Sequence, residues 1–223
     1  MNMIFARESE LLKENLLRLA GEVEMRLTEV LKATARRDKE ALLGWMDRDA
    51  EIDDREVQIE EECLKILALH QPVARDLRFV VAVLKINNDL ERIGDIVANI
   101  AARGSRLTAF PVCDLQDKLM QMGRVTREML KESLDALITL EVRKAIAVIT
   151  RDDEVDRLNV EVIEDVIARA MPGNTGATTE SLILIHSMAR DLERIGDHAT
   201  NIAEDVAYLV DGTIIRHKCV PSR

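Results

Sequence analysis

Asp89-Leu90-Glu91-Arg92-Ile93-Gly94-Asp95 recurs residue for residue as Asp191-Leu192-Glu193-Arg194-Ile195-Gly196-Asp197, 102 positions further on. Three variable residues later both copies read Asn-Ile-Ala, at 99–101 and 201–203. Upstream, Arg48-Asp49-Ala50-Glu51-Ile52-Asp53 matches Arg151-Asp152-Asp153-Glu154-Val155-Asp156 at an offset of 103. Two matches in one order at nearly one offset mark a duplicated unit. A single-residue length change separates the two segments.

Outward from these segments each half reads as three helices. Leu12, Leu16, Leu19, Val23 and Leu27 recur at spacings of three and four, the period of an amphipathic helix. Ala35-Arg36-Arg37-Asp38 interrupts that pattern, with Asp38 placed to cap the next helix. The second helix is expected over 39–69. His70-Gln71-Pro72 then turns the chain, with Pro72 near the first position of a third helix over 73–103 that ends near Gly104. The second half repeats the scheme over 115–138, 142–170 and 178–210, with its second turn at Pro172-Gly173-Asn174-Thr175-Gly176. Short connections force antiparallel neighbours. The expected fold is all-α: two tandem homologous three-helix bundles, six long antiparallel helices, divided as 1–108 and 109–223. Gly94 and Gly196, each inside a helix at a cost of about 1 kcal/mol relative to alanine, indicate close helix approach.

Composition agrees. The chain has 223 residues, a net charge of −10 and only 2% aromatic residues. So few rings and so acidic a balance argue against an all-β sandwich and against a nucleic-acid module. Cys63, Cys113 and Cys219 form no close pair and read as reduced thiols. No apolar run of about 18 residues suggests a membrane span, and the N-terminus does not read as a signal peptide.

The duplicated segments carry the chemistry. In an antiparallel pair, residues equally far from the turn share a height. With the first turn centred near residue 70 or 71, Asp49 falls level with Arg92 and Asp53 with Asn88. In the second half Asp152 falls level with Asp197 and Asp156 with Glu193. Glu91 and Asp95 are four apart and share a helix face, opposite Val83, Ile86, Leu90, Ile93 and Val97; Asn99 continues their stripe, while Asp89 points well away. Either solvent and Arg48, Arg92, Arg151 and Arg194 screen these carboxylates, or a cation neutralises them. All-oxygen ligand sets suit Mg²⁺, Mn²⁺, Ca²⁺ or iron. His198, about 100° round the helix from Asp197, is a marginal extra ligand. His70 and His217 read as surface residues, and His186 as packed. No histidine has Glu three positions earlier, which excludes a ferritin-like di-iron pair. Met25, Met46, Met120, Met122, Met129 and Met188 read as core filler.

The tandem Asp-Leu-Glu-Arg-Ile-Gly-Asp-x-x-x-Asn-Ile-Ala motif, with Gln71-Pro72-Val73-Ala74-Arg75-Asp76-Leu77-Arg78 opening helix three, resembles the PhoU family from about residue 5 to His217. The resemblance implies a cytoplasmic negative regulator of the phosphate-starvation response and not an enzyme. Such a regulator would couple the ATPase subunit of a phosphate ABC transporter to a PhoR-type sensor histidine kinase. It also implies a homodimer, with neither nucleic-acid binding nor direct membrane insertion. Family members carry metal-binding E(D)xxxD motifs. These are matched here by Glu91 and Asp95 and by Glu193 and Asp197, with Asp49, Asp53, Asp152 and Asp156 on the preceding helices. The implied cofactors are divalent or trivalent ions in mono- or multinuclear clusters, iron foremost, with zinc, manganese or magnesium as alternatives. Thr178-Thr179-Glu180-Ser181 departs from the Pro-Val-Ala-Arg-Asp opening, so functions of Arg75 and Asp76 are expected in the first half only. The competing reading is a metal-dependent phosphohydrolase using the same carboxylates.

Overall fold

Leucine and valine seams on long helices need partners, and the chain supplies them from its own two copies. A computed structural model describes residues 3–46, 49–171 and 177–212, with the side chains of residues 49 and 50 excepted. The helices are α1 (Met3–Arg36), α2 (Lys39–Met46), α3 (Asp49–His70), α4 (Ala74–Leu107), α5 (Leu115–Thr139), α6 (Val142–Ala170) and α7 (Thr179–Asp211). The span expected for one second helix is covered by α2 and α3, on either side of residues 47 and 48. The turn at 172–176 and Cys219 lie outside the described residues. No described helix is long and apolar enough to cross a membrane.

Local signals act as expected at several ends. Asp38 Oδ1 accepts from the Ala41 backbone N–H at 3.0 Å, opening α2. Gly212, at φ 70°, closes α7 by donating to the Tyr208 carbonyl, a conformation glycine adopts without a Cβ penalty. Two ends differ. Pro72 does not enter α4: Gln71 (φ 45°) and Ala74 (φ 50°) take left-handed backbone and Val73 is the N-cap. Nor does Gly104 end α4, which runs on to Leu107. Gly104 instead provides clearance, since a Cβ there would sit 3.1 Å from Thr34 Oγ1 and 3.4 Å from Leu42 Cδ1. The helix closes on Arg37, whose guanidinium donates to the carbonyls of Leu107, Thr108 and Phe110.

The first repeat packs α4 against α1, α2 and α3; the second packs α7 against α5 and α6. The repeats join through α4 and α7, which pack on each other, and through an antiparallel α1–α5 contact that sets Arg37 beside Gln116 and Leu31 beside Gly123. Ile86, Leu90, Ile93 and Ile100 of α4 and Ile185, Leu192, Ile195 and Ile202 of α7 are fully buried, and one apolar core runs through both repeats. Burying each such side chain contributes about 1.5–3 kcal/mol. Met122, Met129 and Met188 are core, as expected, whereas Met25 and Met46 are exposed. Gly94 marks a close approach, since a Cβ would lie 2.8 Å from Ile52 Cδ1; at Gly196 the expected close approach is absent, a Cβ there standing in ordinary contact 3.4 Å from Asp152 Oδ1.

Charges cross the α4–α7 seam in antiparallel order. Lys85 Nζ meets buried Asp205 at 3.0 Å. Asp89, also buried, accepts from His198 Nδ1 at 2.8 Å and from Asn201 Nδ2 at 3.4 Å. Arg103 pairs with buried Asp191, and Arg106 meets Glu180 at 2.9 Å. His198 therefore serves the seam between repeats and not the carboxylate stripe. His70 is likewise not a free surface residue, bonding Glu8 Oε2 at 2.6 Å and stacking edge-on against Phe5. Cys63 is buried in apolar surroundings, which push its thiol up to about 12; such a thiol is inert.

Candidate metal centres

Two clusters form where the duplicated segments meet. In the first repeat Asp53 of α3 and Glu91 and Asp95 of α4 bring carboxylate oxygens within 4.8 Å of one another. The turn explains why Asp53 faces this pair and not Asn88. Residues 71–73 separate α3 from α4, so the turn centre lies beyond residue 71 and the register slides toward higher numbers on α4. Burial raises the Glu91 carboxyl first, and the charge of Asp95 adds to it, while Arg92 opposes both. Arg92 reaches Glu91 Oε2 at 3.4 Å and Asp95 Oδ2 at 3.9 Å. Glu56, one turn along α3, is also raised, by burial and then by Glu60 and Asp53. It accepts from Asn87 Nδ2 at 3.3 Å. Asn99 does not extend the ligand stripe; its side chain donates to the Asp95 carbonyl. The Asp49 side chain lies outside those described.

The second cluster joins Asp152 and Asp156 of α6 to Glu193 and Asp197 of α7. Asp152 lies against Gly196, in the register expected from the sequence. Burial, followed by the charges of Asp156 and Asp197, pushes the Asp152 carboxyl up to about 6. Glu193 is raised by burial, Asp197 and Asp156. Asp197 is raised by burial and Asp156, against the opposing charges of His198 and Arg194. Arg151 turns away to Glu128 and Glu132 on α5, at 3.6 and 2.9 Å. Among the described residues no ion pair reaches this cluster.

The same two helices carry two further oxygens. Asn159 Oδ1 and Thr200 Oγ1 are buried without hydrogen-bond partners. Thr200 is seven residues from Glu193 and shares its helix face; Asn159 stands where the first repeat has Glu56. Counting along the Glu193–Asp197 stripe would have found Thr200. Nothing in the sequence separates Asn159 from an ordinary polar surface residue. Orphaned buried oxygens have a cost, and mutually raised carboxylates repel. Both are relieved by a hard cation. Among the described residues only Asp53, Glu91 and Asp95 bring three carboxylate oxygens within 4.8 Å of one another; at the second cluster the fit rests on the donor set and on its mutually raised carboxyls.

The chain matches the PhoU domain family twice, over residues 16–104 and 119–206. It is 37% identical over 198 residues to the phosphate-specific transport system accessory protein PhoU homolog of Caulobacter vibrioides, covering 87% of this chain and 84% of that protein. It is 32% identical over 213 residues to the corresponding PhoU protein of Serratia marcescens, covering 96% and 87%. The crystal structure of PhoU from Pseudomonas aeruginosa superposes with a TM-score of 0.87 at 33% identity, over 94% of this chain and 100% of that one. The phosphate transport system regulatory protein PhoU from Streptococcus pneumoniae gives 0.84 at 28%, over 94% and 98%. A tandem helical repeat, a twice-matched family domain and full-length relatives lead to one conclusion: this chain belongs to the PhoU family.

Proposed function

We propose that this chain is a cytoplasmic accessory regulator of phosphate transport that acts by binding rather than by catalysis. It connects the ATPase subunit of a phosphate transporter to a PhoR-type sensor histidine kinase and holds down the phosphate-starvation response when phosphate is plentiful. The observation that carries this reading is near-full-length kinship with phosphate-specific transport system accessory proteins. In a strain lacking the protein, phosphate-responsive genes should be expressed at high phosphate. Unchanged repression there would reject the role.

Metal ions at the two clusters complete the proposal. Asp53, Glu91 and Asp95 would hold one site; Asp152, Asp156, Glu193 and Asp197 would hold the other, with Asp49 as a further ligand of the first. Oxygen donors favour iron, manganese or magnesium over zinc. A bound ion would neutralise charge and fix α3 to α4 and α6 to α7. Replacing Glu193 and Asp197 together with alanine is expected to remove the metal of the second centre, about half of the total if both centres fill equally, with helicity retained. Elemental analysis beside circular dichroism tests this; equal metal in variant and parent would refute the assignment.

A further inference from the structure

We propose that the outer face of α6 is a docking seam for a basic amphipathic helix of a partner protein. Val160, Ile163, Ile167 and Met171 follow one another at spacings of three and four, so they form one stripe along the helix and its C-terminal end. That spacing is the seam of a helix-in-groove or coiled-coil contact. The stripe is not core: Val160 is 53% exposed, Ile167 56% and Met171 62%. In the register set by Val155 against Gly196, Ile167 comes about level with Ile183 of α7, which is 58% exposed. A run of large apolar side chains left in water on two adjacent helices marks an interaction site.

The first repeat supplies the contrast. Val57 and Leu64 occupy the positions of Val160 and Ile167 and are equally exposed, but Glu60 stands where α6 has Ile163. A charge in the middle of a two-turn stripe interrupts it, so the continuous seam belongs to the second repeat.

Charge selects the occupant. Asp153 and Glu164 lie exposed beside the stripe, while Arg157 on the same flank is taken up by Glu161 at 2.6 Å. The stripe runs on into Asp156, which is exposed on the same face. A second copy of this chain docking α6 on α6 would bring acidic flank to acidic flank, and like-charge juxtaposition is unfavourable. A helix with an apolar stripe flanked by lysine or arginine would bury the seam and neutralise its edge.

The probe is a fluorescently labelled synthetic helix of about 18 residues, long enough for the seam at 1.5 Å per residue, with leucines at the seam positions and lysines on the flanks. A twin with glutamates on the flanks is the control. Binding is measured by anisotropy in EDTA, so the outcome does not depend on whether the clusters take metal. The basic peptide is expected to bind in the micromolar range and the acidic twin at least tenfold more weakly. Substituting Val160→Glu with Ile167→Glu should lower the affinity at least tenfold, with an unchanged thermal transition. Val57→Glu with Leu64→Glu should leave it within twofold. The proposal is overturned by no binding of the basic peptide, by equal binding of the two peptides, or by binding that survives the α6 substitutions. It is equally overturned by a dimer in sedimentation that those substitutions dissociate, since the seam would then belong to a second copy.

Discussion

Asp152→Asn should make the metal-free protein more stable at pH 8. The Asp152 carboxyl stands at about 6, against an ordinary value of 3.8. Its folded-state affinity for a proton therefore exceeds its unfolded-state affinity. Below the ordinary value both states are protonated and nothing is lost. As pH rises through the window to about 6 the unfolded chain ionises freely while the folded chain resists. The penalty is fully present above that window. Two units correspond to about 3 kcal/mol at most; with Asp152 only partly buried, removing the charge should raise stability by about 1–3 kcal/mol at pH 8. Near pH 4 the variant and parent should coincide. Urea unfolding in EDTA at the two pH values measures this, and destabilisation at pH 8 would contradict it. The same variant should gain less than the parent from added Mn²⁺, because the repulsion that destabilises the metal-free cluster is what a cation relieves.

The second large effect lies between the repeats. Arg103→Leu removes the partner of buried Asp191. Burial already raises that carboxyl, against Arg103 first and then Arg194 and Arg190. Without Arg103 only the weaker opposing charges of Arg194 and Arg190 remain. Breaking a buried pair costs about 3–5 kcal/mol; because Arg103 is partly solvated, about 2–4 kcal/mol is expected at pH 8. The sign again follows from a raised carboxyl: the loss grows as pH rises through and above the carboxyl range and shrinks as pH falls toward and below the ordinary value of 3.8, where Asp191 becomes protonated in both states. Adding Asp191→Asn should recover most of the loss at pH 8, since two neutral groups leave no buried charge. A loss that does not shrink as pH falls, or one that the second substitution does not recover, would show that Arg103 acts through packing alone.

Helix periods and the twofold motif made most of the architecture legible. The seams through Leu12, Leu16 and Leu19 and through Ile86, Leu90 and Ile93 point inward as the three-and-four spacing requires, because burial of apolar area is proportional and non-directional and so can be read from composition along a face. Asp152 lies against Gly196, in the register expected, because the register of that helix pair is governed mainly by connection length. Asp53 does not face Asn88, since left-handed backbone at Gln71 and Ala74 lengthens the turn, and a one-dimensional pattern does not report backbone conformation.

Ion pairing was less legible. Asp89 and Asp191 occupy one repeat position, yet one bonds His198 and the other Arg103. The partners come from the opposite repeat, more than eighty residues away, and similar charges could have served in solvent. Only the packing of α4 on α7 removes water from them. The sequence by itself therefore determined the duplicated all-α framework and the families of carboxylates on matching faces, because periodicity and repetition are properties of a chain. The tertiary structure alone decided which acids lie buried, which are answered by a cation and which are left raised. Desolvation and Coulomb energy depend on what surrounds a group in three dimensions, and no spacing along the chain encodes that.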